Sequence, residues 1–305
     1  ETTLDNGLTV GARIELEGEN SGDQIDKSWV YWTGGFGKVQ IGSQDKTIGA
    51  YCLLPPGATA NFSAFSPASW GSNDPIGSNA ACVDTETNSQ GIVYITPNFS
   101  GFQLRVAYTP SGNAEDYTQN GVNGHGTPTT PNGTPHHMAG FYATYNYAGD
   151  GWGVDWGGGI SHQFAFNHDV GGNDGKSTDY QTGLNLSIGN FGVGGVFEYF
   201  GTGGRDNNAW VAGLGLSYGV DDWTIGLQGS HGFYNGENIG SAANVGGSRK
   251  LDRVIVTGSY ALGPGVTLDA ELGYTHFSDN GSTFSQAMPD VYNAADIQIG
   301  SALTF

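Results

Sequence analysis

The stretch Val266-Thr-Leu-Asp-Ala-Glu-Leu-Gly-Tyr-Thr275 places Val266, Leu268, Ala270, Leu272 and Tyr274 on one side of an extended chain. Thr267, Asp269, Glu271, Gly273 and Thr275 fall on the other, the period of two that marks a strand with one apolar face. The same rhythm recurs outward from it. Leu8, Val10, Ala12, Ile14 and Leu16 alternate with Thr9, Gly11, Arg13, Glu15 and Glu17. Phe102, Leu104, Val106 and Tyr108 alternate with Gln103, Arg105, Ala107 and Thr109, and Trp210 to Tyr218 behaves alike. No stretch with helical spacing competes, so the chain is all-β and antiparallel.

The connections come in two sizes that alternate. Gly34–Gly37, Asn98–Gly101, Ala148–Gly151, Gly189-Asn190, Gly219–Asp222 and Leu262–Gly265 are tight and carry the Gly, Asn or Asp that hairpin turns need. Between them lie polar stretches at roughly 19–25, 46–90, 111–136, 166–179, 201–208, 235–249 and 278–290. Together they join about fourteen strands running up and down, with short turns at one end and long loops at the other.

Composition decides which side of such a sheet is wet. The 305 residues carry 29 acids and 10 bases, a net charge of −19, with 53 glycines and 12% aromatics. That charge repels phosphate and excludes a nucleic-acid partner. No apolar run approaches the ~18 residues of a membrane-spanning helix. A soluble sandwich studs its outer face with Lys and Glu, whereas the polar face here is mostly Gly, Ser, Thr, Asn and Gln. A sheet of this many strands avoids open edges by closing, and closed it encloses a lumen too wide for side chains to fill. An apolar exterior in lipid and a polar, water-lined interior satisfy all of these features. The final strand, Asp296-Ile-Gln-Ile-Gly-Ser-Ala-Leu-Thr-Phe305, resembles the C-terminal assembly signal of bacterial outer-membrane barrels through Gly300, Leu303 and Phe305.

Two further segments carry a family resemblance. Gly35-Phe-Gly-Lys-Val-Gln-Ile-Gly-Ser-Gln-Asp45 resembles the strand before the infolded loop of Gram-negative general porins. Tyr94-Ile-Thr-Pro-Asn-Phe-Ser-Gly-Phe-Gln-Leu-Arg-Val-Ala-Tyr-Thr-Pro110 resembles the strand–turn–strand after it, most of all in α-proteobacterial porins, and Leu4–Leu16 is similar to an early porin hairpin. The resemblance implies a homotrimer of sixteen-stranded barrels in the outer membrane of a Gram-negative bacterium, among lipid and lipopolysaccharide, passing small hydrophilic solutes without a cofactor. Aligned in this way, Leu8–Glu17 is the third family strand. The expectation is therefore that about fourteen of sixteen strands lie in this sequence, with the first hairpin missing, Glu1–Gly7 being a turn, and the whole of 1–305 a single barrel domain.

The segment 46–90 is the candidate constriction loop, since it carries Leu53, Leu54, Phe62, Phe65, Trp70 and four prolines, which a loop in open solvent has no reason to hold. Cys52 and Cys82, the two cysteines of the chain, both fall in it. An oxidising compartment favours a bridge between them, two free thiols and a two-cysteine metal site being the alternatives. Strand parity turns Arg13, Glu15, Glu17, Lys38, Arg105, Asp155, Glu198, Arg253, Asp269 and Glu271 toward the lumen. Related porins set basic wall residues against acids on the loop. The candidates here are Arg13, Lys38 and Arg105 facing Asp74, Asp84 and Glu86. Ser43 follows Gly42 where many enterobacterial relatives carry Arg, which with the net charge of −19 tilts the expected preference toward cations.

Other motifs are weaker. His136-His137, His162 and His168-Asp169 lack paired metal spacing, and Asp169–Asp179 misses the ligand alternation of an EF-hand, which leaves at most adventitious Ca²⁺ at acidic outer loops. Trp29, Tyr31 and Trp32, with Tyr145, Tyr147 and Trp152, suit an interfacial aromatic girdle. No nucleophile–base–acid set is present, so no enzyme is expected. A sugar-specific channel, in which Tyr142 and Phe200 have lumen parity, and a non-conducting adhesion barrel are the alternative functions.

Overall fold

The computed structural model describes residues 1–16, 25–65, 81–82, 89–111, 135–166, 177–201, 208–236, 247–280 and 291–304. They form one sheet of fifteen antiparallel strands, each hydrogen-bonded to its neighbours in the chain. These are β1 (Thr2–Thr3), β2 (Thr9–Leu16), β3 (Ile25–Gly34), β4 (Gly37–Ser43), β5 (Gln90–Ile95), β6 (Phe102–Ser111), β7 (Pro135–Ala148) and β8 (Trp152–Phe166). They continue with β9 (Ser177–Ile188), β10 (Phe191–Gly201), β11 (Asn208–Val220), β12 (Trp223–Gly236), β13 (Gly247–Gly263), β14 (Val266–Asn280) and β15 (Val291–Leu303). A one-turn helix, α1 (Ile48–Tyr51), lies in the long connection after β4. Glu1–Gly7 is more than the turn expected of it, because Thr2 and Thr3 pair with Val10 and Thr9.

All six tight turns fall between paired strands, and each holds a residue with positive φ: Gly37, Ser100 with Gly101, Gly151, Gly189, Asp221 and Gly265. Such turns follow the right-handed twist of the strands they join. Ser100, at φ 54°, is the one the sequence did not single out.

The packing is inverted relative to a soluble protein. Leu214 is 71% exposed and Ile299 is 81% exposed, while Gln228 and Glu198 are fully buried. Alternation explains it. On β13, Val254 and Val256 face out while Leu251, Arg253, Ile255 and Thr257 face in and are covered. Aromatic residues crowd both ends of the outer face. Near the turns Tyr147 meets Trp152 at 4.7 Å, Phe191 meets Tyr218 at 4.6 Å and Trp223 meets Tyr260 at 4.5 Å between ring centres. Toward the loops Trp210 lies beside Phe197 and Phe233. On β11, Trp210 and Tyr218 stand about 26 Å apart at ~3.3 Å per residue. With strands tilted by ~40° the two rings stand roughly 20 Å apart along the membrane normal, a little inside the ~25 Å apolar band of an outer-membrane barrel. Trp29 and Tyr31 depart from the expected girdle. They pair with Arg13 and Gln40 on the inner face, and of that trio Trp32 alone points out. Trp29-Val-Tyr-Trp32 is apolar on both faces, so alternation carried no signal there.

Candidate functional site

What the inner face covers is the connection between β4 and β5, which turns into the barrel. Val39 and Ile41 face out of β4, so Lys38 and Gln40 face in, and the strand ends at Ser43. It then lies along the wall from β9 to β15. Pro55 and Pro56 have no N–H to satisfy, and their carbonyls accept from Gln228 Nε2 at 2.8 and 3.3 Å. The other end of that amide accepts from Ala64 N at 3.0 Å and Ser63 Oγ at 3.2 Å. Asn185 Nδ2 donates to Leu54 O at 2.8 Å, and Thr257 Oγ1 to Gly57 O at 2.7 Å. Ser230 Oγ donates to Ala64 O at 2.9 Å. At the far end Asn61 Nδ2 donates to Asp269 Oδ2 at 2.7 Å.

Glycines make this approach possible. A Cβ at Gly215 would collide with Pro56 O, and one at Gly226 would collide with Gly57 O. Between loop and wall lies a small apolar cluster of Ala64, Phe65, Val196, Val211 and Ile255, flanked by Leu54, Ala81 and Phe200. Cys52 and Cys82 form a disulfide with a Cα–Cα distance of 5.2 Å, and Cys82 N donates to Glu198 Oε2 at 2.6 Å. The bridge spans a sequence separation of 30, which stabilises the folded loop by roughly 3–4 kcal/mol in the chain-entropy picture. Replacing both cysteines by serine is expected to speed proteolytic cleavage within the loop by more than tenfold while the barrel stays folded. An unchanged cleavage rate would show that the wall contacts alone fix the loop.

The charged residues separate into two groups. Glu198, Arg253, Asp269 and Glu271 lie on the inner face beneath the loop. Arg253 pairs with Glu271 and lies 3.6 Å from Asp296, so three strands share one buried ionic cluster. Arg105, 8% exposed, sits at the loop's base: its guanidinium covers the Tyr51 ring at 4.4 Å and donates to Gln40 Oε1 and Asp45 O, each at 3.2 Å. The second group lines the side that the described part of the loop leaves uncovered. Arg13 lies over Trp29 at 5.4 Å and pairs with Glu15 at 3.0 Å, and Lys38 lies over Tyr31 at 4.3 Å. Lys27 joins them, bridging to Asp45 at 2.8 Å and Glu15 at 3.5 Å. Asp155 faces in near the turn end and accepts from Asn146 at 2.7 Å.

Glu17, Asp74, Asp84, Glu86 and Phe305 lie outside the described residues, as do His168 and most of Asp169–Asp179. Leu303 faces out. Gly300 faces in, where a Cβ would come within 3.1 Å of the Asn61 amide. Lys27, Trp29, Tyr31 and Asp45 are inner-face residues that the sequence did not yield, and Gln228 and Asn185 are the loop's anchors. A lone Gln or Asn on a strand's polar face looks like any solvated residue, and only the loop's path gives it a role. Tyr142, bonded to Gln181, is covered, and Phe200 is partly buried against the apolar cluster.

An antiparallel β-barrel with an apolar exterior, a polar interior and a loop folded inside it is a membrane channel. Residues 1–280 match the family described as Gram-negative porin, and the chain belongs to that family. It is an outer-membrane protein. A loop-deletion variant of OmpT, an outer membrane protein of Vibrio cholerae, superposes with a TM-score of 0.61 at 16% identity, over 99% of this chain and 87% of that one. An anion-selective porin from Comamonas acidovorans gives 0.55 at 18%, over 98% and 84%. The trimer form of V. cholerae OmpT gives 0.58 at 14%, over 99% and 87%. Comparison with curated proteins returned no match.

Proposed function

We propose that this porin is a passive, cation-preferring diffusion channel for small hydrophilic solutes and ions, formed by 1–305 as one domain and assembled as a homotrimer. The observation that carries the reading is the anchored course of residues 53–64 across the inner wall from β9 to β15, which narrows the lumen instead of leaving it open. Solutes then pass between this loop and the β2–β4 wall, where Arg13, Lys27 and Lys38 form a basic edge. Asp74, Asp84 and Glu86 are the acids proposed to face them. A ring of charge at a narrow point sets ion preference, and the net charge of −19 favours cations entering. The trimeric form among the structural relatives supports the assembly. A sugar-specific channel gains nothing from Tyr142, which is buried and bonded to Gln181.

Purified protein in a planar bilayer under a salt gradient tests this directly. An ohmic conductance with a cation-selective reversal potential is expected. An anion-selective reversal potential would overturn the preference, and a silent membrane would overturn the channel. Neutralising Asp74, Asp84 and Glu86 together to Asn, Asn and Gln is expected to move the reversal potential toward zero. No movement would remove the three from the constriction.

A further inference from the structure

Two rings on the inner face of β3, Trp29 and Tyr31, stand one pleat repeat apart, about 7 Å along the strand. Glycines opposite them let both lie close to the wall. A Cβ at Gly11 would meet the Tyr31 ring at 2.5 Å, and one at Gly42 would meet Trp29 Cα at 2.6 Å. Each ring carries a cation, Arg13 over Trp29 at 5.4 Å and Lys38 over Tyr31 at 4.3 Å. A third pair, Arg105 over Tyr51, is covered at the loop's base, so the column open to the passage consists of the first two.

These two pairs differ from the ionic contacts beside them. Lys27 is occupied by Asp45, Glu15 and Asp26, at 2.8, 3.5 and 3.6 Å. Lys38 makes no hydrogen bond or ion pair among the described residues. The charges acting on it are Arg105 and Arg13, which repel it, and Glu1, whose carboxylate already accepts the Tyr31 hydroxyl at 2.5 Å. Arg13 pairs with Glu15 at 3.0 Å, an acid it shares with Lys27, and its side chain is still 64% exposed. Around Lys38 the wall therefore sets three cations against one whole acid and one shared acid. Positive charge is in excess there, and it faces the passage.

We propose that Arg13, Lys38 and the two rings form a transit site for small aryl carboxylates, a reading that rests on solutes passing between residues 53–64 and the β2–β4 wall. The guanidinium is planar and weakly hydrated, and with Trp29 on one face it offers the other to a second flat ring. Lys38 is a point charge one pleat further along, placed for the carboxylate of the same molecule. An aliphatic acid gains the charge without the stack, and a neutral arene gains the stack without the charge. The net charge of −19 does not oppose such contacts, since exposed charges beyond a Debye length of about 8 Å are largely screened.

Current block in a planar bilayer tests the site, with benzoate as probe and cyclohexanecarboxylate and benzamide as controls. The first control lacks the flat ring and the second lacks the charge. Benzoate is expected to half-block the open current at about fivefold lower concentration than either control. Arg13→Lys keeps the charge and loses the plane, and it is expected to bring benzoate to the level of cyclohexanecarboxylate. Lys38→Gln is expected to bring it to the level of benzamide. An ohmic current that the three probes block equally overturns the site and leaves the channel standing, as does a benzoate block undiminished in either variant. A silent membrane overturns the channel, and the site with it.

Discussion

Leu214→Lys is expected to destabilise the protein in lipid vesicles by about 2–4 kcal/mol, although it replaces one of the most exposed side chains in the fold. In a water-soluble protein an exposed leucine exchanged for lysine usually shifts stability by less than ~0.5 kcal/mol. The difference comes from what covers position 214. It lies mid-strand on β11, between the Trp210 and Tyr218 ends of the apolar band, where lipid and not water meets the side chain. Leu303→Lys, at the last residue of β15, should cost only about 0–1 kcal/mol, since a charge there is near the interface. Denaturant unfolding followed by tryptophan fluorescence in vesicles measures both. Similar small losses at the two sites would mean that water, not hydrocarbon, covers Leu214.

Gln228→Ala is the second change with a large expected effect, because one amide holds four points of the loop. Its removal leaves the Pro55 carbonyl and the Ala64 N–H without their wall partner, at about 1–3 kcal/mol for each buried group. The barrel's own ladder is untouched, so the loss falls on the seating of the loop. Single-channel recordings are expected to show a larger and noisier current than the parent, with the protein still folded. Gly215→Val reaches the same result by another route, since its side chain would occupy the space of the Pro56 carbonyl. Parent-like current from both variants would show that residues 53–64 do not narrow the path.

The sheet was legible because two periodicities reinforced each other: period-two alternation within strands, and the alternation of tight turns with long loops between them. Where one failed the other compensated. Trp29 to Trp32 has no polar face, yet the Gly34–Gly37 turn still fixed the strand, and only the direction of its rings was misread. The interior was legible in charge but not in contact. Parity alone turns Glu198, Arg253, Asp269 and Glu271 inward, yet nothing local distinguishes a carboxylate in open water from one beneath a loop. Arg105 illustrates the limit. Its side of β6 follows from alternation, whereas its packing on Tyr51 depends on a chain reversal more than fifty residues earlier. The glycines of β11 and β12 were equally ambiguous, since a small residue on a polar face suits both an empty lumen and a closely seated backbone.

Which face of the sheet meets lipid is tested most directly by nitroxide labels at two sites of the vesicle-reconstituted protein, Leu214→Cys facing out and Asp155→Cys facing in. Collisions with oxygen, which concentrates in hydrocarbon, and with a water-soluble nickel chelate are read at each. Leu214→Cys should be relaxed by oxygen and shielded from the chelate, and Asp155→Cys should show the reverse. A label at position 214 open to the chelate, with one at 155 in a dry oxygen-rich environment, would contradict the barrel's orientation and the channel built on it.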